Sequence, residues 1–236
     1  MKRLLVILLV FGMSVPASAQ LFNKERLSNL ENFDKRRFSW GYYLGFNSLD
    51  FKFQYNQERT DVINTDVTVE RQAGFNVGLI GDMRINNYIN LRLEPGMVFS
   101  QRNLRFPGFE EERNELREVK STYIHIPLLV KFSTKRLNNF KPFIVGGVST
   151  SINLSSNETN PEDNSAGQFR MTSSTYYYEM GIGVDLYLYY FKFTPSIRGV
   201  FAMNDELVRD SDPNSPWTGN IASMATRGIF INFTFQ

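Results

Sequence analysis

The chain contains no cysteine, which excludes disulfide bonds and thiolate metal sites. A single histidine, His125, gives little from which to build a metal centre or an imidazole-based catalytic site. Charge of one sign is missing too. The formal +2 comes from Lys2 and Arg3, and the rest of the chain is balanced, so nothing in it reads as an electrostatic footprint for nucleic acid. Beyond Val15 no apolar run approaches the roughly 18 residues of a membrane-crossing helix.

What the chain has instead is aromatic residues, 14% of the total with 21 Phe and 11 Tyr, spread over short alternating stretches. It opens on "MKRLLVILLVFGMSVPASAQ", with a basic start, an apolar stretch from Leu4 to Val15, and Ala17-Ser18-Ala19 at the small positions a signal peptidase reads. Residues 1–19 are therefore expected to be a cleaved signal peptide. The stretch is short for a retained anchor, and without cysteine a lipoprotein is excluded. An exported, aromatic-rich chain without a hydrophobic helix fits a transmembrane barrel, whose signal is divided among many strands.

Period-two alternation marks eight strands, at about 38–52, 67–85, 88–101, 119–132, 140–153, 172–189, 191–202 and 225–236. In "RFSWGYYLGFNSLDF" the residues Phe38, Trp40, Tyr42, Leu44 and Phe46 share one face, against Ser39, Gly41, Tyr43, Gly45 and Asn47. Parity slips near Asp50, where Phe51 and Phe53 change sides, and a bulge or an exit from the membrane is expected there. Gly146 and Gly147 leave the facing of the fifth strand open.

The connections after strands one, three, five and seven are long and polar, and those between them are short, such as Asn86-Asn87. That alternation predicts an all-β, eight-stranded antiparallel up-and-down barrel of the outer membrane, with both termini periplasmic and the long loops extracellular. Aligning the short turns brings Phe38, Trp40, Tyr88, Phe132, Phe140, Tyr187, Tyr189, Tyr190, Phe191, Phe233 and Phe235 to one level, as an aromatic girdle at the headgroups would require. The barrel is expected to occupy 38–236, preceded by a periplasmic segment 20–37 with Leu21, Phe22, Leu27, Leu30 and Phe33 at loosely helical spacing, or by a partly ordered terminus. A lipocalin-like soluble barrel is the alternative, but it would need its charges outside.

On the expected inner face Asp82, Glu94, Glu179 and Asp185 meet Arg84, Arg92, Lys192 and Arg198. Eight strands enclose a space that side chains fill, so these charges are expected to pair across the lumen and plug it; an ion or proton path is the alternative. His125 falls on the same inward face with Tyr123, away from any lipid ester, so no enzymatic activity is expected. No glycine loop for phosphate or metal-ligand set implies a cofactor.

Three stretches carry a resemblance: "NLENFDKRRFSWGYYLGFNSLDFK", "INLRLEPGMVFSQRNLRF" and "IHIPLLVKFSTKRLNNFKPFIVGG". In that order they resemble the PorT family of outer-membrane proteins from the type IX secretion system of Bacteroidota, with "KRLNNFKPF" the most distinctive piece. The resemblance implies a non-enzymatic role in exporting proteins with C-terminal sorting domains. It also implies membrane lipid and other secretion components, including the large translocon barrel, as partners. A filled eight-stranded lumen cannot pass a polypeptide, so an accessory or assembly role is expected rather than the pore. The rival expectation is a generic small OmpA- or OmpW-like barrel acting as passive channel or envelope stabiliser.

Overall fold

The computed structural model describes residues 28–56, 66–109 and 111–236. The expected signal peptide and Leu21, Phe22 and Leu27 lie outside the described residues. The wall consists of β1 (Phe38–Tyr55), β2 (Thr68–Arg71 continued by Ala73–Arg84), β3 (Ile89–Leu93 continued by Gly96–Arg105), β4 (Leu116–Ser133), β5 (Phe140–Asn153), β6 (Ser174–Tyr187), β7 (Lys192–Ala202) and β8 (Ile221–Phe235). Each strand pairs antiparallel with the next, and β1 pairs with both β2 and β8, so the eight strands close into a ring.

The two interruptions have local causes. Pro95 has no backbone N–H, and the ladder between β2 and β3 steps over it while its carbonyl accepts from Leu79 N at 2.9 Å. In β2 the register runs from Arg71 opposite Arg102 to Phe75 opposite Phe99, four residues against three, so Gln72 sits in a bulge. That bulge brings Arg71 out to Asp50, with Nε 3.9 Å from the carboxylate.

Facing directly opposite residues shows how the alternation is used. Leu44 lies opposite Val77 on one side and Phe233 on the other, and Ile182 lies between Ile144 and Ile197. All of these point outward. Trp40, Phe46, Leu79, Ile182 and Met180 are among the most exposed side chains of the molecule, while the residues between them are buried. On β1 the outward apolar run Phe38 to Phe46 is about 30 Å along a strand, which at the usual barrel tilt matches the ~25 Å apolar band of an outer-membrane wall.

β1 and β4 each run 18 residues, longer than the roughly 9–11 needed to cross a bilayer. In the excess length the pattern inverts. Lys52, Gln54, Glu118 and Lys120 face outward, while Phe51, Leu104, Phe106, Val119, Phe169, Met171, Leu207, Ile221 and Met224 form a buried cluster inside. A wall standing in water needs an apolar inside and a polar outside, the reverse of a wall standing in lipid.

Of the two readings at Asp50, a bulge or an exit from the membrane, this inversion supports the exit. The β1–β8 register is unbroken there and shifts only between Gln54 and Tyr55, so Phe51 changes from an outer to an inner role because the wall has left the apolar band. The fifth strand also resolves. Phe143 and Val145 are buried inside, while Ile144 and Val148 are exposed outside. One expectation is corrected: Tyr187 is not in the girdle. It is 1% exposed, and its hydroxyl donates to Asp34 Oδ1 at 2.6 Å.

Candidate functional site

Among the described residues, buried charge gathers in the lumen. From the short-turn end upward, Arg92 Nε and Nη2 donate to Asp82 Oδ2 at 3.1 and 2.8 Å, and Asn90 Nδ2 donates to Asp82 Oδ1 at 2.5 Å. Beside them Lys131 Nζ meets Asp185 Oδ2 at 2.5 Å, and Thr194 Oγ1 donates to Asp185 Oδ1 at 2.8 Å. Above this layer Glu94 bridges two guanidinium groups, with Arg92 Nη1 at 3.4 Å and Arg198 Nη1 at 2.7 Å. Arg198 Nε reaches on to Glu179 Oε2 at 2.7 Å. Glu179 Oε1 lies 2.8 Å from His125 Nε2, and His125 Nδ1 lies 2.6 Å from Ser151 Oγ.

A continuous chain of contacts thus crosses the barrel, ionic from β2 through β3 and β7 to β6 and hydrogen-bonded on to β4 and β5. All its members are buried. The inward period of two brings charged residues from several strands into the lumen, and only oppositely charged pairs are tolerable so far from water. On the β1, β2 and β8 side Asn47 Nδ2 donates to Asn76 Oδ1 at 3.1 Å, and Asn76 in turn donates to Asn232.

Of the expected lumenal residues, Asp82, Arg92, Glu94, Glu179, Asp185 and Arg198 meet in this network. Lys192 is buried beside it without an ion-pair partner among the described residues. Arg84 stands apart at the short-turn rim, where its Nη1 donates to Asp34 O at 2.9 Å. The strand ends there, and the side chain meets the preceding segment rather than the barrel interior.

Several members were not picked out from the sequence. Lys131 and Lys141 share inward parity with His125 and Phe143, so the signal was present. Arg102, on the inward face of β3 and 0% exposed, donates to Tyr123 Oη at 2.6 Å and Thr226 Oγ1 at 3.0 Å. Glu206 could not have been found by parity because it sits in the loop between β7 and β8. It folds inward to accept from Thr226 N at 2.7 Å and Thr226 Oγ1 at 2.9 Å. Burial pushes the Glu206 carboxyl above its ordinary value, opposed by the nearby Arg102 guanidinium.

Ser151, His125 and Glu179 have the donor order of a nucleophile, base and acid. Here the serine is buried, the acid is committed to Arg198, and Tyr177 and Phe230 pack edge-on against the imidazole at 5.9 and 5.6 Å. The adjoining cavity, lined by Tyr123, His125 and Ser151, measures about 10 Å³. It holds no more than one water, and an acyl ester does not fit.

Both ends are closed as well. At the loop end the apolar cluster around Phe51 is covered by the loops, with Met171 bridging to Leu207 and Phe109 stacked on Trp217 at 5.1 Å. At the other end residues 28–37 lie across the mouth, tied by Asn29 Nδ2 to Tyr187 O at 3.1 Å and by Arg136 to Asn29 O. Leu30 adopts φ 50 as the segment turns into the single helical turn Phe33–Lys35.

A family model described as "Outer membrane protein beta-barrel domain" matches residues 18–208. No curated protein matches the chain. Among solved structures it is similar to the outer membrane protein OprG from Pseudomonas aeruginosa, at 14% identity and TM-score 0.44 over 83% of this chain and 94% of that one. Neisserial surface protein A is similar at 9% identity and TM-score 0.43, over 84% and 98% of the respective chains. Ail of Yersinia pestis is similar at 12% identity and TM-score 0.39, over 85% and 99%.

Proposed function

Since the chain belongs to the family of outer membrane protein beta-barrel domains, we propose that it is a non-enzymatic, accessory component of the type IX protein secretion system and not the polypeptide conduit. The observation that carries this reading is the chain of ion pairs and hydrogen bonds from Asp82 to Ser151, which fills the barrel cross-section with partnered side chains. A lumen so filled gives a polypeptide no path, and opening one would leave several buried charges without partners. Function then falls to the outer wall and the loops.

The link to secretion comes from the sequence resemblance, and the residues that carry it are structurally engaged. "INLRLEPGMVFSQRNLRF" is β3 and supplies Arg92 and Glu94 to the network. "IHIPLLVKFSTKRLNNFKPFIVGG" is the β4–β5 hairpin and supplies His125 and Lys131. "NLENFDKRR" covers the mouth. In this reading the short turns and residues 28–37 face the periplasm, the long loops face the exterior, lipid surrounds the apolar band, and the large translocon barrel is a partner.

Deleting the gene and restoring it on a plasmid tests the reading. Secretion of proteins with C-terminal sorting domains should fail on deletion and return on complementation, and the purified barrel should show no steady conductance in planar bilayers. Normal secretion in the deletion strain, together with steady conductance, would instead identify a passive channel. Tags near Asn157 and Asn214 should be reachable on intact cells while one at Asn138 is not; labelling at Asn138 would reverse the orientation.

A further inference from the structure

The mouth at the short-turn end holds more positive than negative charge. A small cavity there, about 20 Å³, lies beneath Phe33 and is lined by Arg36, Arg84, Lys131, Lys141 and Lys192, against the carboxylates of Asp34, Asp82 and Asp185. Each carboxylate is already engaged: Asp82 by Arg92 and Asn90, Asp185 by Lys131 and Thr194, and Asp34 by the Tyr187 hydroxyl.

One lysine is left over and another is loosely held. Lys141 Nζ comes no nearer than 3.8 Å to Asp34. Lys192 is 3% exposed, yet among the described residues its ammonium has no hydrogen bond and no carboxylate in ion-pair contact, Asp82 and Asp185 acting on it only at longer range, and its Nζ lies 4.5 Å from the centroid of the Phe33 ring. A buried ammonium without an acceptor is expensive, and a second one beside it adds repulsion. Water alone would solvate the ammonium groups without cancelling the charge.

We propose that this closed vestibule binds one small inorganic anion of chloride size, held by the ammonium groups of Lys192 and Lys141 and roofed by Phe33. The volume sets the size. A cavity of about 20 Å³ accommodates one water-sized species, for which roughly 10–15 Å³ suffices, and it has no room for a phosphate or an organic anion. The roof belongs to residues 28–37, so the ion enters or leaves only when that segment lifts, and its binding holds the segment down. Asp34 competes electrostatically with the ion, since it brings a negative charge to the same wall.

Bromide is the probe. Crystals of the full chain soaked in sodium bromide should show an anomalous peak between Lys141 and Lys192. In detergent, the heat-induced mobility shift should come at higher temperature in sodium chloride or bromide than in sodium gluconate of equal ionic strength. Lys192→Gln should weaken bromide binding by at least about tenfold, and Asp34→Asn should strengthen it several-fold, because each changes the local charge by one unit in opposite directions. Should Lys192→Gln fail to fold, the direction of the Asp34→Asn shift decides. An empty cavity after soaking, midpoints equal in chloride and gluconate, binding that survives Lys192→Gln, or weaker binding in Asp34→Asn would each overturn the proposal.

Discussion

Arg198 is the hub of the lumen, and removing it tests whether the barrel is dry. Its guanidinium contacts Glu94 and Glu179, each at 2.7 Å, and its side chain is 5% exposed. Arg198→Leu therefore leaves two buried carboxylates short of a partner. Glu94 keeps Arg92 at 3.4 Å, but Glu179 loses its guanidinium and keeps the Nε2 of His125 and the Ser149 side chain. Breaking a buried pair in this way costs about 3–5 kcal/mol, and the two-sided role of Arg198 places it at the upper end. Glu179→Leu should cost less, about 3 kcal/mol, because Arg198 retains Glu94. The double variant should recover most of the loss, since the remaining Arg92 and Glu94 still neutralise each other. Urea titration of the barrel refolding into lipid vesicles, followed by Trp40 and Trp217 fluorescence and by heat-modifiable migration, gives the free energies. A cost for Arg198→Leu under about 1 kcal/mol, the range of solvated pairs, would show that water fills the lumen and would remove the argument against a conduit.

Ile182→Arg, at a position 59% exposed on the apolar band, should destabilise by about 2–4 kcal/mol near mid-membrane, while Lys120→Leu above the band should be close to neutral; vesicle refolding measures both. The adjacent Gly146 and Gly147 should respond oppositely to alanine. A Cβ on Gly146 meets nothing nearer than 3.6 Å, whereas one on Gly147 would sit 2.2 Å from Leu128 O, so thermal midpoints should stay for the first and fall for the second. Glu206 has a raised folded pKa, so its contribution is complete below the ordinary Glu value of about 4.3 and is lost as pH rises through the raised value. Loop-end protection factors, taken relative to intrinsic amide exchange at each pH, should rise on acidification in the parent, and Glu206→Gln should remove that rise.

Much of the wall is legible in the sequence because a strand in a one-layer barrel has only two environments, and the period of two reports them directly. Phe38, Trp40, Tyr42, Leu44 and Phe46 read as an outer row since no other surface of this ring accepts large rings at every second position. The alternation of long and short links gave the up-and-down order for the same reason: neighbouring antiparallel strands need only a tight turn at one end. Parity also placed Asp82, Glu179 and Arg198 inside.

Parity cannot say which inward residues meet. Strand stagger decides that Glu94 of β3 reaches across to Arg198 of β7, 104 positions away, and that Glu179 serves His125 and Arg198 together. On β6 parity sets Tyr187 with the inward Glu179 and Asp185; it was height alone that grouped Tyr187 with the outward ring of Phe191, because the girdle and the mouth lie at one level. Nor could parity separate a bulge at Asp50 from a change of solvent, since both shift the apolar residues to the opposite parity. By itself the sequence determined what is local and periodic: strands, their two faces and their order. The tertiary structure alone decided which charges are neutralised across the lumen, that the Lys192 ammonium has no ion-pair contact among the described residues, and that Glu206 folds in from a loop, because each depends on closure and register between strands far apart in the chain.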